Sequence, residues 1–246
     1  TIKEGKTIYK RTEGGLGRVI EPGAAAMMNA MMRETLLTGT GRKADLGDLG
    51  TLSAFWHGLD FDNSAATSVA TTGLLWSGIA KAGNGWRVPW AASIARQRDY
   101  GRNPSDYSAS YRQLELGVGR GPATLKVGLE SLGGDPTRPD RRFQTPLATL
   151  HVFQGWADKF LVTPRLGVED FYVGASANFD SLALQLVWHD FQAEAAGDEY
   201  GSEWDASAGY KFGTRYEVLA KYANYMADGF ATVDDVFGSG HLPDSV

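Results

Sequence analysis

Cysteine is absent from the 246 residues, so neither a disulfide framework nor a thiolate metal site is available. No run of about 18 apolar residues occurs, which excludes a transmembrane helix by length but not a transmembrane strand. The chain opens Thr1-Ile2-Lys3-Glu4 without an apolar leader, as expected of a mature chain or a fragment. Histidine is scarce: His57, His151, His189 and His241 lie far apart and show no metal-ligand spacing, so neither metal nor cofactor is expected. The net charge of −5 gives no basic excess, and no nucleic-acid partner is expected.

The apolar fraction of 43% and charged fraction of 22% exclude a disordered chain. The 31 glycines, 7 tryptophans and 10 tyrosines suit many short strands with tight turns and aromatic belts. Residues 22–37 differ. Pro22 suits a first helical turn, Ala, Met and Leu follow, and Gly39 and Gly41 end the stretch, so a short helix is expected there.

From about Leu49 onward the period is two. Trp86, Val88, Trp90, Ala92 and Ile94 alternate with Arg87, Pro89, Ala91, Ser93 and Ala95. The same rhythm runs through Leu114–Val118, Leu125–Leu129, Leu182–Trp188, Trp204–Phe212 and Tyr216–Tyr222. Each reads as a strand with one apolar and one polar or small face. Gly83-Asn84-Gly85 and Phe212-Gly213-Thr214 are short enough for hairpins, whereas 99–106 and 195–202 are longer links. With weaker runs at 50–61, 67–80 and 169–179, the spacing predicts an all-β fold: an antiparallel transmembrane-type β-barrel of roughly nine or ten strands, incomplete at its ends. Aromatic residues gather at run ends, where interfacial girdles would lie.

If the apolar rows face lipid, the opposite rows line the pore. They carry Arg87, Glu115, Lys126, Glu130, Asp205, Lys211, Arg215, Glu217 and Lys221. Arg96, Arg98, Arg112, Arg141, Arg142 and Lys159 are expected to add positive charge near the mouth. Residues 142–161 are too long for a turn and too apolar for a solvated loop. Phe143, Gln144, Thr145, His151, Gln154, Trp156 and Asp158 are therefore expected inside the barrel mouth as a constriction. The neighbours His189 and Asp190, and Glu169 and Asp170, point to opposite faces of a strand and make no catalytic pair. Asp60, Asp62 and Asn63 lack calcium-loop spacing, and Gly117, Gly119 and Gly121 precede no helix.

Phe143-Gln144-Thr145-Pro146-Leu147-Ala148-Thr149-Leu150-His151 and Phe153-Gln154-Gly155-Trp156-Ala157-Asp158-Lys159-Phe160-Leu161 resemble the alginate-export family of outer-membrane porins. So do Gly167-Val168-Glu169-Asp170-Phe171-Tyr172-Val173, Trp188-His189-Asp190-Phe191 and Tyr200-Gly201-Ser202-Glu203-Trp204-Asp205. The resemblance spans about residues 48–233. It implies an outer-membrane barrel, in contact with the lipid bilayer, that passes polar or anionic solutes such as alginate. It also implies a pore lined by basic side chains, whereas the set here is of mixed sign. Barrels of that family end on an aromatic residue, and this chain ends Asp244-Ser245-Val246 after a tail at 234–246.

The front, about residues 1–47, is similar to the transpeptidase domain of class A penicillin-binding proteins at Ile8-Tyr9-Lys10-Arg11, Gly17-Arg18-Val19-Ile20 and Pro22–Met32. Neither a Lys-Thr-Gly nor a Ser-x-x-Lys occurs, so no acylated serine with an activating base is available and no enzyme is expected. The competing readings are a chimeric or truncated product without transport activity, and an inactive transpeptidase fragment.

Overall fold

The computed structural model describes residues 2–3, 6–7, 44–45, 49–106, 108–138, 140–147, 154–213 and 215–228. Within Thr1–Gly41, β1 (Ile2–Lys3) pairs antiparallel with β2 (Lys6–Thr7). The helix expected over 22–37 and the tail 234–246 lie outside the described residues. The second unit, Arg42–Val246, begins with β3 (Ala44–Asp45) and continues into nine long strands. These are β4 (Thr51–Leu59), β5 (Val69–Ala82), β6 (Trp86–Asp99), β7 (Ser108–Arg120), β8 (Ala123–Leu132), β9 (Val168–Asn178), β10 (Leu182–Gln192), β11 (Glu199–Phe212) and β12 (Tyr216–Ala227). Each pairs antiparallel with its sequence neighbours, giving one sheet ordered from β12 to β3.

The links alternate in length. Short turns join β5 to β6, β7 to β8, β9 to β10 and β11 to β12, while 60–68, 100–107, 133–167 and 193–198 join the other ends. At the β5–β6 turn, Asn84 and Gly85 take φ of 61° and 77°, the left-handed region that lets two right-twisted strands meet tightly. Residues 199–202, expected within a link, belong to β11. A register shift between Phe191 and Gln192 admits Tyr200 as an extra residue, and its hydroxyl donates to the Gly167 carbonyl at 3.0 Å.

The two faces of the sheet are opposite in character. Leu114 is 62% exposed, Leu125 57% and Val218 59%, whereas Glu203 and Asp205 are 0% exposed and Asp170 is 1%. A water-soluble domain buries its aliphatic rows and solvates its acids. Here the arrangement is reversed, as a strand between lipid and a wet interior requires. On the apolar outer face, Arg120 lies over the Trp86 ring at 5.4 Å beside the short turns, and Trp56 meets Tyr100 edge-on at 6.0 Å beside the long links. Amphipathic rings with charged companions suit the headgroup level. Eight residue steps separate Arg112 from Arg120 on β7. They cover about 26 Å of strand at ~3.3 Å per residue, close to the height of a transmembrane apolar band.

Leu116 is midway between those arginines, so Leu116→Arg is expected to destabilise the protein in lipid vesicles by about 2–4 kcal/mol, and Ser110→Arg by about 0–1 kcal/mol. Guanidinium unfolding followed by tryptophan emission measures both. Equal costs would contradict the assignment of this face to lipid.

Candidate functional site

The inner face is set by parity and register. Strand pairing aligns Gln113 with Glu130, Glu130 with Asp170, Tyr172 with His189 and His189 with Glu203. Four neighbouring strands thus bring Glu130, Asp170, His189, Glu203 and Asp205 together, all buried. His189 Nδ1 lies 2.9 and 3.0 Å from the two Asp170 oxygens, and its Nε2 lies 3.6 Å from Asp205 Oδ2. Tyr111 donates its hydroxyl to Glu130 Oε1 at 2.5 Å. Buried acids require such partners, because a carboxylate stripped of water and left unpaired is costly.

The described parts of the β8–β9 link, 133–138, 140–147 and 154–167, fold onto this face and supply the rest. Gln154 Nε2 donates to Glu130 Oε2 at 2.9 Å. The Trp156 and Ala157 backbone amides donate to Glu203 Oε1 at 2.6 and 2.7 Å, and the Trp156 amide also reaches Asp205 Oδ2 at 3.0 Å. At its other end, Gln144 and the Gln97 side chain exchange two bonds: Gln144 N donates to Gln97 Oε1 at 2.7 Å, and Gln97 Nε2 donates to Gln144 O at 2.9 Å. Phe143 packs on Tyr111 with ring centroids 5.4 Å apart, and Phe160 packs on Phe191 at 4.7 Å and Tyr200 at 5.7 Å. The buried apolar cluster of the second unit therefore lies between the inner face and this segment. Outside the strands, the Thr137 hydroxyl and amide hold the Asp135 carboxyl below the usual carboxylate range.

Gly155 makes the close approach possible. Its φ is +82°, and a Cβ there would lie 2.6 Å from Glu203 Oε2. Toward the short turns, the inner face lines a cavity of about 550 Å³ that includes Glu115, Lys126, Glu130, Trp156, Tyr172 and Glu217. Lys126 Nζ pairs with Glu115 Oε1 at 2.9 Å, and Tyr172 donates to Glu115 Oε2 at 3.0 Å. Lys221 Nζ lies 4.1 Å from the Trp156 ring centroid.

The expected pore-lining residues divide into groups. Arg87, Glu115, Lys126, Glu130, Asp205, Lys211, Glu217 and Lys221 share the inner face, and Arg215 follows the β11–β12 turn. Arg96, Arg98 and Arg112 do not join them. They share parity with Ile94 and Leu114 and stand on the outer face, exposed, because the alternation continues past the last aliphatic residue. Lys159 lies over the Tyr225 ring at 5.6 Å. Phe143 and Gln154 are buried, Gln144, Thr145, Trp156 and Asp158 are half-buried, and His151 lies outside the described residues. Sequence reasoning missed Tyr111, Asp170, Tyr172, His189 and Glu203. Parity alone could have found Glu203, two residues from Asp205, whereas the Asp170–His189 contact needs the register. No group able to hold a metal ion occurs among the described residues.

Removing one acceptor should loosen the segment. Glu203→Ala leaves the Ala157 amide without its carboxylate and the Trp156 amide with Asp205 alone, at a cost of about 1–3 kcal/mol. Faster amide exchange at Trp156 and Ala157 is expected, with exchange in β7 and β8 unchanged; unchanged exchange at both amides would mean that other contacts hold the segment. Gly155→Ala is expected to lower the melting temperature in detergent, since a left-handed φ alone costs a residue with a Cβ about 1–2 kcal/mol.

No family model and no curated protein matches the chain. Among solved structures, the sheet is similar to the crystal structure of Acinetobacter baumannii OccAB2, an outer-membrane porin, with a TM-score of 0.54 and 15% identity. The likeness covers 76% of this chain and 48% of OccAB2, so the chain spans about half the length of that protein. Neither the alginate-export nor the transpeptidase resemblance gains a family match. The fold itself is that of an antiparallel β-barrel sheet, not closed on itself among the described residues.

Proposed function

We propose that this chain forms part of a porin-like outer-membrane channel for polar solutes, narrowed by segment 133–167. One observation carries the reading: aliphatic rows are exposed on one face of the sheet while acids and amides are buried on the other. The likeness to a porin supports the same reading, and with it a protein that catalyses no reaction. Selectivity in such a channel follows the sign of charge at its narrowest ring.

The finer reading is an anionic solute, with an acidic polysaccharide such as alginate as one candidate. Glu130, Asp170, Glu203 and Asp205 are turned onto Tyr111, Gln154, His189 and the Trp156 and Ala157 amides, which reduces the negative charge facing a solute. Arg87, Lys126, Lys211 and Lys221 stand with Glu115 and Glu217 on the inner face toward the short turns, a balance of four cations to two acids.

A second reading is a sheet that inserts but does not conduct. The edges favour it. Nine antiparallel strands leave β4 and β12 running in the same direction, and these edges are unpaired with each other among the described residues. An all-antiparallel closure therefore requires an odd number of further long strands.

Planar-bilayer recording on refolded full-length protein separates the two. Stepwise currents are expected, with a reversal potential on the anion side that moves toward the cation side in Lys126→Gln/Lys221→Gln and with block by alginate oligomers. Insertion without current would support the second reading, and a monodisperse fold in plain buffer would end both.

A further inference from the structure

The outward position of Arg96, Arg98 and Arg112 has a chemical consequence. We infer that these three side chains form a binding site for the phosphorylated headgroup of a lipid in the membrane leaflet beside the long links. The inference rests on the membrane reading above.

Register gathers the three groups. Arg98 opposes Ser108, Arg96 opposes Ser110 and Arg112 opposes Ile94 on two adjacent strands. Opposed residues have Cβ atoms about 4.5–5.5 Å apart and alternate residues are ~7 Å apart, so the patch is about 14 Å from Arg98 to Arg112. Arg96 Nε donates to Ser108 Oγ at 2.6 Å, which holds one guanidinium against the strand. Neither Arg98 nor Arg112 makes an ion pair with any described residue. The acids of the outer face begin at Glu169 and Asp190, and Glu169 is two strands from Arg112 across Ser131. The positive charge is therefore confined to β6 and β7.

The setting favours a lipid occupant. Toward the short turns the arginines meet Ala92, Ile94, Leu114 and Leu129, and Ile94 and Leu114 are each about three-fifths exposed, at 59% and 62%. An aliphatic surface capped by unpaired cations reproduces the polarity of a lipid from acyl chain to phosphate. An arginine on the lipid side is costly at the midplane and nearly free near the interface, so three of them belong at headgroup level. Guanidinium forks match phosphate oxygens in pairs, which a single ammonium does not. Long links mark the extracellular side of such barrels, so the phosphates are those of the outer leaflet.

The test uses the full chain refolded in detergent, with diphosphoryl lipid A as probe and native mass spectrometry as readout. Wild type is expected to retain the lipid, and Arg96→Gln/Arg98→Gln/Arg112→Gln to lose affinity by about a hundredfold, as three basic residues at an anionic lipid surface would give. Dephosphorylated lipid should bind both proteins equally weakly. Should the triple variant fail to fold, Arg112→Gln alone carries the comparison with about a fivefold loss. Equal retention of diphosphoryl lipid by wild type and variant would overturn the proposal. Displacement by an equimolar amount of inorganic pyrophosphate would also overturn it, since the site would then hold free phosphate. A wild type that retains the lipid but carries no current fails only the channel reading. A conducting wild type that retains lipid no better than its variant fails only this one.

Discussion

A strand set in hydrocarbon has nowhere to send its N–H and C=O groups except to the strand beside it. In the proposed membrane setting that constraint accounts for the plainest property of this molecule, a meander in which β4 to β12 each bond their sequence neighbours along most of their length. It also fixes what the side chains do. With the backbone satisfied laterally, each residue can point only up or down from the sheet, and the proposed lipid on one side would sort the two sets. Leu114, Leu116 and Val118 go to one side of β7, and Tyr111, Gln113 and Glu115 to the other.

The wet side is not simply solvated. Its deepest acids are used as acceptors for a separate stretch of chain, so that Glu203 binds backbone amides where a surface glutamate would bind water. Neutral groups do most of the pairing: the Tyr111 hydroxyl, the Gln154 amide and two peptide N–H groups. Glu203 Oε2 and Asp205 Oδ1 are buried without a hydrogen-bond partner among the described residues. Such a cluster is held by geometry more than by opposite charge, and its integrity depends on the 133–167 segment being seated.

Most of the sheet is legible in the sequence because the apolar rhythm is strong where it exists. Arg87, Glu115, Lys126 and Asp205 each stand one residue from an outward aliphatic or aromatic side chain, and that offset places them inward. Parity and polarity disagree where the outward row turns polar. Arg96 and Arg98 lie two and four residues beyond Ile94, so parity sends them outward, whereas polarity alone points them into the pore. The Tyr200 bulge is invisible for a related reason, since it changes a register that no single strand encodes. Asp170 and His189 meet through the same kind of information, a cross-strand alignment set by turn lengths and not by neighbours in sequence. The expectation of an inward segment at 142–161 rests on length and apolar content, whereas the acceptors that bind Gln144, Trp156 and Ala157 follow only from strand register.

The reciprocal bonds between Gln97 and Gln144 and the amide bonds to Glu203 each span 46 or 47 residues of chain. Hairpin contacts close small loops and can form one after another as the chain zips sideways, whereas these bridge β6 to β11 across four intervening strands. Loop-closure entropy makes such distant contacts late events. Assembly of the sheet must therefore run ahead of the inner segment, which can dock only once both of its anchoring walls exist.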